Sequence, residues 1–76
     1  MDIIRLLIAR EATLIAYKSI KTKKSLTEII SIKYNNTNLL IKAIRNKDGT
    51  KIFTVYNTKF QPIAEVYTIS ELVDLF

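Results

Sequence analysis

The chain lacks cysteine, histidine and tryptophan, and it has one glycine and one proline among its 76 residues. Without cysteine or histidine it can form no disulfide, no thiolate or imidazole catalyst and none of the common zinc or iron sites. Its one glycine, Gly49, belongs to a turn-like tetrapeptide, and the sequence has no glycine-rich phosphate loop or nucleophile elbow. The sequence therefore predicts a protein that is not an enzyme and needs neither a metal nor a cofactor.

Long uninterrupted apolar runs are also missing. The first 20 residues are rich in isoleucine and leucine, but five charged residues interrupt them: Asp2, Arg5, Arg10, Glu11 and Lys18. No apolar run approaches the ~18 residues that span a bilayer, and no small-residue cleavage site follows an apolar stretch. We therefore expect a cytoplasmic protein without a membrane partner.

The size of the chain limits its core. We expect one domain, 1–76, with a core close to the smallest that folds without disulfides or metals. Hydrophobic residues make up 49% of the chain and charged residues 25%, a balance typical of folded proteins. The sequence predicts a folded domain of modest stability, or one that gains stability by forming a homodimer.

Asparagines recur at a regular spacing in the second half of the chain. Asn35, Asn46 and Asn57 lie 11 residues apart, and each opens a turn-like tetrapeptide. Stretches rich in β-branched and aromatic residues separate them, which is typical of antiparallel strands joined by short loops. Four-residue loops would pair the flanking residues as follows: Tyr34 with Leu39, Arg45 with Thr50, and Tyr56 with Gln61. This spacing predicts a four-stranded antiparallel β-meander.

The predicted register assigns each side chain to a face of the sheet, because successive side chains in a strand point to opposite faces. We predict that one face forms the core, with the apolar members Ile30, Ile32, Tyr34, Leu39, Ile41, Ala43, Ile52, Tyr56, Ile63 and Tyr67. The other face is mixed and places Lys33, Lys42 and Lys51 near Phe53. The register therefore decides whether these lysines share one surface.

Both ends of the chain are predicted to be helical. Residues 2–20 favour a helix, because residues 10–12 contain good helix formers and no turn former. The alternative is a pair of strands, the second over residues 13–20. Near the other end, Thr68 or Ser70 can cap a short helix whose first turn contains acids. The predicted class is α+β, with an N-terminal helix, the meander and a short C-terminal helix.

Residues 25–46 also indicate a competing fold. The run Ser25-Leu26-Thr27-Glu28 has the pattern of a helix capping box. The segment also contains two groups of apolar residues with helical spacing: Leu26, Ile29 and Ile30, then Leu39, Leu40, Ala43 and Ile44. Together with a possible hairpin over residues 51–67, this segment resembles a winged helix-turn-helix. The resemblance implies a recognition helix that enters the DNA major groove with Thr37, Asn38, Lys42 and Arg45.

The formal net charge of +5 is unevenly distributed. Residues 18–51 contain nine basic residues and only two acidic ones, and no basic residue follows Lys59. Such a region attracts polyanions, because ammonium groups neutralise phosphates and release counterions. We predict that DNA or RNA binds through Lys21, Lys23, Lys24, Lys33, Lys42, Arg45 and Lys51, with Phe53 stacking on a base. The alternative is that Phe53 belongs to the core and the lysines only extend past it into water.

A second class of function is a protein-interaction module. A short apolar chain without catalytic groups has the general character of the small inhibitors and regulators of phages, viruses and plasmids, which occlude a protein partner. An acidic protein surface is the expected target, and the candidate interface aromatics are Tyr17, Tyr34, Tyr56 and Tyr67. The unpaired amides of an outer strand also favour pairing with a second copy of the chain.

Overall fold

The computed structural model describes residues 3–76. In chain order its elements are α1 (Ile3–Ala9), β1 (Thr13–Lys21), β2 (Ser25–Tyr34), β3 (Thr37–Asn46), β4 (Lys51–Tyr56), β5 (Pro62–Val66) and α2 (Ile69–Val73). The strands form one open sheet in the order β1-β2-β3-β4-β5, and every neighbouring pair is antiparallel. The predicted α+β class with an antiparallel meander is confirmed, with five strands in place of the predicted four.

Both helices pack against the same face of the sheet, which we call the covered face. The core of this layer consists of Ile3, Leu7, Ala12, Ile30, Ile32, Ile41, Ala43, Phe53, Val55 and Leu72. The opposite face, which we call the open face, carries partly buried side chains at its centre: Ile29, Leu40, Lys42, Ile44, Ile52 and Tyr56. Of the helices found in residues 3–76, neither has the length and apolar content needed to cross a membrane.

The helix predicted over residues 2–20 is much shorter, because the chain turns out of it at Glu11. The Glu11 amide donates to the Ile8 carbonyl at 2.9 Å, the Ala12 amide donates to the Leu7 carbonyl at 3.0 Å, and Glu11 has a φ of 69°. This is the Schellman arrangement, which closes a helix through a left-handed residue that is usually glycine. Ala12 and Leu7 belong to the same core, which completes the motif. Residue 2 lies outside the described residues.

β1 follows this turn, where the sequence had favoured a continuation of the helix. Thr13, Ile15 and Tyr17 supply the β-branched and aromatic side chains that favour a strand. β1 pairs with β2 along almost its whole length, with one bulge between Leu14 and Ala16. Of the alternative pair of strands, the second, over residues 13–20, is therefore confirmed, and the first is wrong because residues 3–9 form α1. The turn before it was not recognised because a glutamate stands where glycine usually marks such a turn.

Replacing Glu11 with glycine is expected to stabilise the protein. A left-handed conformation costs a non-glycine residue about 1–2 kcal/mol, and the extra unfolded-state freedom of glycine offsets about 0.5–1 kcal/mol of that gain. We expect the free energy of unfolding to rise by about 0.5–1 kcal/mol, seen as a higher urea midpoint at an unchanged m-value. Arg10→Gly is the matched control and should lower the midpoint, because Arg10 has no positive φ. A lower midpoint for Glu11→Gly would contradict the turn.

The β2–β3 hairpin is tighter than predicted. Asn35 and Asn36 have φ values of 50° and 61°, the left-handed pair typical of a two-residue type I′ turn. Tyr34 therefore pairs with Thr37 instead of Leu39. The register moves by two residues, an even number, so the predicted faces of β2 and β3 are kept. The predicted core positions of these strands are confirmed for Ile30, Ile32, Ile41 and Ala43, with Tyr34 and Leu39 packed against them.

The β3–β4 hairpin differs from the prediction by one residue. The Asn46 amide donates to the Thr50 carbonyl at 2.8 Å, and the Gly49 amide donates to the Asn46 carbonyl at 3.0 Å. Gly49 has a φ of 95°, which only glycine adopts readily. The turn pairs Arg45 with Lys51, where the prediction paired Arg45 with Thr50. A slip of one residue moves every side chain of a strand to the other face.

This slip reverses the predicted faces of β4 and β5. Phe53 and Val55 are 0% and 2% exposed in the core. β5 pairs with β4 and follows the reversal, so Ala64 and Val66 pack against the core. The four residues predicted to face the core from this part of the chain do not belong to it: Ile52, Tyr56, Ile63 and Tyr67. That prediction is wrong because the loop before β4 holds three residues instead of four.

The winged helix-turn-helix is also wrong, because its two proposed helices are the strands β2 and β3. Glu28, which was expected to close a helix capping box, accepts a hydrogen bond from the Tyr17 hydroxyl at 2.7 Å. The residues assigned to a recognition helix lie along β3: Thr37, Asn38, Lys42 and Arg45. Isoleucine-rich segments can satisfy either periodicity, and here strand pairing on both sides overrides helix propensity.

The predicted C-terminal helix is confirmed as α2. Thr68 is its N-cap, because the Thr68 hydroxyl oxygen accepts a hydrogen bond from the Glu71 amide at 3.1 Å. Leu72 is completely buried against the covered face. The Tyr34 hydroxyl donates to the Phe76 carbonyl at 2.9 Å, and their rings meet edge to face with centroids 5.1 Å apart. These contacts pack α2 and the residues after it against the sheet.

Candidate nucleic-acid interface

Two turns lie side by side at one end of the sheet. The β1–β2 turn contains Lys23 and Lys24, the β3–β4 turn contains Lys47, and the Lys47 amide donates to the Lys24 carbonyl at 3.0 Å. The groove between the turns has a volume of about 530 Å³, and five basic residues line it: Lys21, Lys23, Lys24, Arg45 and Lys47. Lys51 pairs with Arg45 beside this groove. We call the five lining residues, together with Lys51, the basic end.

Hydrogen bonds hold the β1–β2 turn in one shape. The Thr22 amide donates to the Ser25 carbonyl at 2.9 Å. The Thr22 hydroxyl oxygen accepts hydrogen bonds from the amides of Lys24 and Ser25 at 3.3 and 3.1 Å. Lys23 and Lys24 are exposed on this fixed backbone. An anion that binds there needs to order only the lysine side chains, which keeps the entropy cost of binding low.

Arg45 differs from the lysines of the basic end, because an acid compensates its charge. Its Nη2 lies 3.6 Å from Glu28 Oε1, and its Nε is buried without a hydrogen-bond partner among the described residues. Within residues 3–76, Lys21, Lys23, Lys24 and Lys47 form no ion pair. The lysines therefore supply most of the positive potential of the groove.

Asp48 is adjacent in sequence to Lys47 of the basic end, and its carboxylate accepts hydrogen bonds from a residue of its own turn. The Thr50 amide and hydroxyl both donate to Asp48 Oδ1, at 2.9 and 2.7 Å. The amide hydrogen bond, followed by the hydroxyl one, holds the pKa of Asp48 below its ordinary value of 3.8. These bonds stabilise the turn above that ordinary pKa, and their contribution is lost as the pH falls through the lowered pKa. At neutral pH the Asp48 carboxylate is ionised, and both of its hydrogen bonds contribute to the turn.

The structure brings five of the eight predicted site residues to the basic end: Lys21, Lys23, Lys24, Arg45 and Lys51. Their role in binding stays a prediction. Lys42 lies in the middle of the open face, and Lys33 lies at the other end of the sheet beside Asn38. The predicted surface of Lys33, Lys42 and Lys51 does not form, because the register slip puts Lys51 on the covered side.

Phe53 is 0% exposed, so neither face of its ring is open to a base. The predicted stacking role of Phe53 is therefore wrong, and its interpretation as a core residue is confirmed. Lys47, by contrast, was not among the predicted site residues although it lines the groove. Its position inside the Asn46–Gly49 turn was the available signal, because a lysine in a tight turn is exposed.

The β4–β5 turn lies at the end of the sheet opposite the basic end. The Phe60 amide donates to the Asn57 carbonyl at 3.0 Å, and the Asn57 amide donates to the Gln61 carbonyl at 3.0 Å. Phe60 has a φ of 59° and is 74% exposed. Sequence reasoning treated this segment only as a turn. The signal it missed is a bulky aromatic residue at the position that Gly49 occupies in the preceding turn.

Comparison with protein families, with characterised proteins and with solved structures found no match to this chain. Within residues 3–76 the acidic side chains form no group of three or more that could hold a metal ion.

Proposed function

We propose that this protein is a small non-enzymatic binding protein that holds the phosphate backbone of a nucleic acid at its basic end. The observation that carries the proposal is the contact between the β1–β2 and β3–β4 turns, which gathers lysines from distant parts of the sequence around one groove. Clustered lysines neutralise neighbouring phosphates and release their counterions, which favours binding.

The residue types at the basic end favour binding without sequence preference. Lysine contacts phosphate as a point charge, whereas base readout in the major groove depends mainly on the planar forks of arginine, asparagine and glutamine. The one arginine of the groove, Arg45, lies against Glu28. We therefore expect contacts to the backbone of DNA or RNA and little discrimination between sequences.

A salt titration of binding tests this proposal. Fluorescence anisotropy would follow random-sequence single-stranded and duplex oligonucleotides, DNA and RNA, from low to physiological salt. Three to five phosphate contacts predict a slope of log affinity against log salt of about −2 to −4. Absence of binding at low salt would contradict the proposal and would leave an acidic protein surface as the remaining partner for these cations.

The exposed edge of the sheet supports a second proposal, that two copies of the chain pair through β1. All nine residues of β1 are exposed, and β1 has a neighbouring strand on one side only. The other edge strand, β5, has five residues and begins with Pro62, which lacks an amide hydrogen. Pairing between two β1 strands would satisfy their outer amides and cover apolar side chains such as Tyr17 and Ile20.

Ser19→Lys is expected to weaken such a dimer and leave the monomer intact. Ser19 pairs with Glu28 across β1 and β2, so a lysine there gains an opposite charge within the monomer. In the dimer, each β1 strand would bring one added lysine to the shared edge, and charged lysines on an edge strand oppose pairing with a second strand. We expect sedimentation equilibrium to show about tenfold weaker association, equivalent to 1.4 kcal/mol.

Thr58→Lys is the control for this variant, because it adds the same charge in the turn between β4 and β5, on the far side of the sheet from β1. Its association should equal that of the parent protein. Monomeric behaviour of the parent at every concentration would contradict the dimer proposal and would leave the nucleic-acid proposal untouched.

A further inference from the structure

We propose that Phe60 stacks on an unpaired base of the bound nucleic acid, over a hollow at the end of the sheet opposite the basic end. The inference rests on the proposed function and adds a second contact of a different kind, in a separate place. The two loops on either side of β4 have the same backbone hydrogen bonds and differ in the residue at the left-handed position.

Each loop begins with an asparagine and closes through the same two backbone hydrogen bonds. In the β3–β4 loop the Asn46 amide donates to the Thr50 carbonyl and the Gly49 amide donates to the Asn46 carbonyl. In the β4–β5 loop the Asn57 amide donates to the Gln61 carbonyl and the Phe60 amide donates to the Asn57 carbonyl. The left-handed position is Gly49 in the first loop, with φ 95°, and Phe60 in the second, with φ 59°. Glycine adopts this conformation without strain, whereas a bulky residue there is a conformational outlier.

The loop strains the backbone of Phe60 and also leaves its ring in solvent. At 74% exposed, Phe60 is the most exposed large apolar side chain in residues 3–76. The loop itself is firmly held, because Asn57 Oδ1 accepts from the amides of Lys59 and Gln61 at 2.9 and 3.0 Å. Strained backbone residues cluster at ligand contacts and active sites, so the strain at this exposed aromatic residue supports a binding role for Phe60.

The hollow beside Phe60 has a volume of about 220 Å³ and a lining without acidic residues. Ser31, Asn38 and Thr58 line it, and their side chains accept or donate no hydrogen bond to another side chain or to the backbone of residues 3–76. These hydroxyl and amide groups can both donate and accept, which suits the polar edge of a base. Leu40, also in the lining, supplies an apolar wall.

The surrounding charge favours a nucleotide as the occupant. Lys59 is adjacent to Phe60 in the turn, and Lys33 pairs with Asn38 at the rim of the hollow. A flat ring, a polar edge and a following phosphate would each meet a complementary group here. The volume is below the ~300–1,000 Å³ typical of pockets for drug-sized ligands, so it suits a single ring.

The two contact sites are within reach of one short single strand. β4 connects them, and the distance along this strand from Lys51 to Tyr56 is about 17 Å. Single-strand binding sites of about 4–16 nucleotides are common in small domains that combine a basic groove with stacking aromatics. A duplex cannot place an unpaired base at Phe60, so the inference predicts a preference for single strands.

Phe60→Gly provides a test in which binding and stability move in opposite directions. We expect its affinity for a random single-stranded oligonucleotide to fall about 5- to 100-fold, with the salt slope unchanged because no phosphate contact is lost. We expect its melting temperature to rise, because glycine removes the backbone strain. Ile8→Ala is the control: Ile8 is an exposed apolar residue of α1, 54% exposed, and its loss should not change binding.

Phe60→Trp gives an independent readout, because the chain has no other tryptophan. Stacking on a base should quench its fluorescence on titration with the oligonucleotide, and affinity should equal or exceed that of the parent protein. Ile8→Trp should show no quenching. Parent-like affinity of Phe60→Gly together with unquenched Phe60→Trp would overturn the stacking inference alone. Failure of the parent protein to bind any single strand at low salt would overturn both the inference and the proposed function.

Discussion

Replacing Lys23, Lys24 and Lys47 together with alanine is expected to lower the affinity for random-sequence nucleic acid about a hundredfold at low salt. Hydrogen bonds to charged groups contribute about 1.5–3 kcal/mol each. Exposed charges contribute less because water and salt screen them, so we take about 1 kcal/mol for each lysine and roughly 3 kcal/mol for the three. Each 1.4 kcal/mol corresponds to a factor of ten in affinity. The three residues come from the two turns that meet at the groove, so their joint loss removes both sides of the surface.

The same triple variant should also flatten the salt dependence. Each neutralised phosphate contributes about 0.7–0.9 to the slope, so the loss of three contacts should reduce its magnitude by about 2–3. A change in affinity with an unchanged slope would mean that the lysines act through folding or packing and not through phosphates. Circular dichroism and urea unfolding of the variant would separate these cases, because the three side chains are exposed and make no ion pair within residues 3–76.

A charge-matched triple variant provides the control for this result. Replacing Arg5, Arg10 and Lys18 with alanine removes the same total charge from α1, the turn after it and β1. Arg10 forms only an exposed ion pair with Asp74 at 3.8 Å, whose loss should matter little. We expect affinity within about threefold of the parent protein, because none of the three side chains lines the groove and salt screens exposed charges outside it. An equal loss in both triple variants would show that net charge alone drives binding, and would contradict a defined basic end.

Replacing Phe53 with alanine is expected to remove most of the stability of the fold. Phe53 is 0% exposed at the centre of the core, and a buried phenylalanine changed to alanine typically costs about 3–5 kcal/mol. A domain of 76 residues has a total free energy of unfolding of about 4–11 kcal/mol. We therefore expect a variant that is partly unfolded at 25 °C or has a urea midpoint far below that of the parent protein.

Ile52→Ala is the control for Phe53→Ala, because Ile52 is the neighbouring residue in β4 and lies partly buried on the open face. We expect its loss of stability to be less than half that of Phe53→Ala. The reverse order, with Ile52→Ala the more damaging, would return β4 to the register predicted from four-residue loops. It would also move Lys51 to the same face as Lys42 and so remove Lys51 from the basic end.

The asparagine spacing predicted the meander because turn chemistry is local. An Asn-Asn pair can adopt two left-handed residues in succession, so the β2–β3 hairpin was recognisable from the sequence, and its even register error left the core assignment of β2 and β3 intact. The length of the β3–β4 loop was harder to predict, because the Asn46–Gly49 segment fits either a three-residue or a four-residue loop. That single uncertainty determined the faces of β4 and β5.

The end of α1 shows a different limit. Glu11 carries no sequence signal for a left-handed turn, and only packing of Ala12 and Leu7 in the core explains why the chain turns there. The basic end was predicted in part, because Lys21, Lys23 and Lys24 are close in sequence. Its second half depends on a backbone contact between Lys47 and Lys24 that no local pattern indicates.

An amide chemical-shift map is the most direct test of the central claim, that two neighbouring turns form one phosphate-binding surface. The experiment titrates ¹⁵N-labelled protein with a random-sequence single strand at low salt. We predict that the largest shifts occur at residues 21–25 and 45–51 and saturate together, with a second group at residues 57–61. Shifts confined to α1, α2 and β1, or no shifts at all, would contradict the claim.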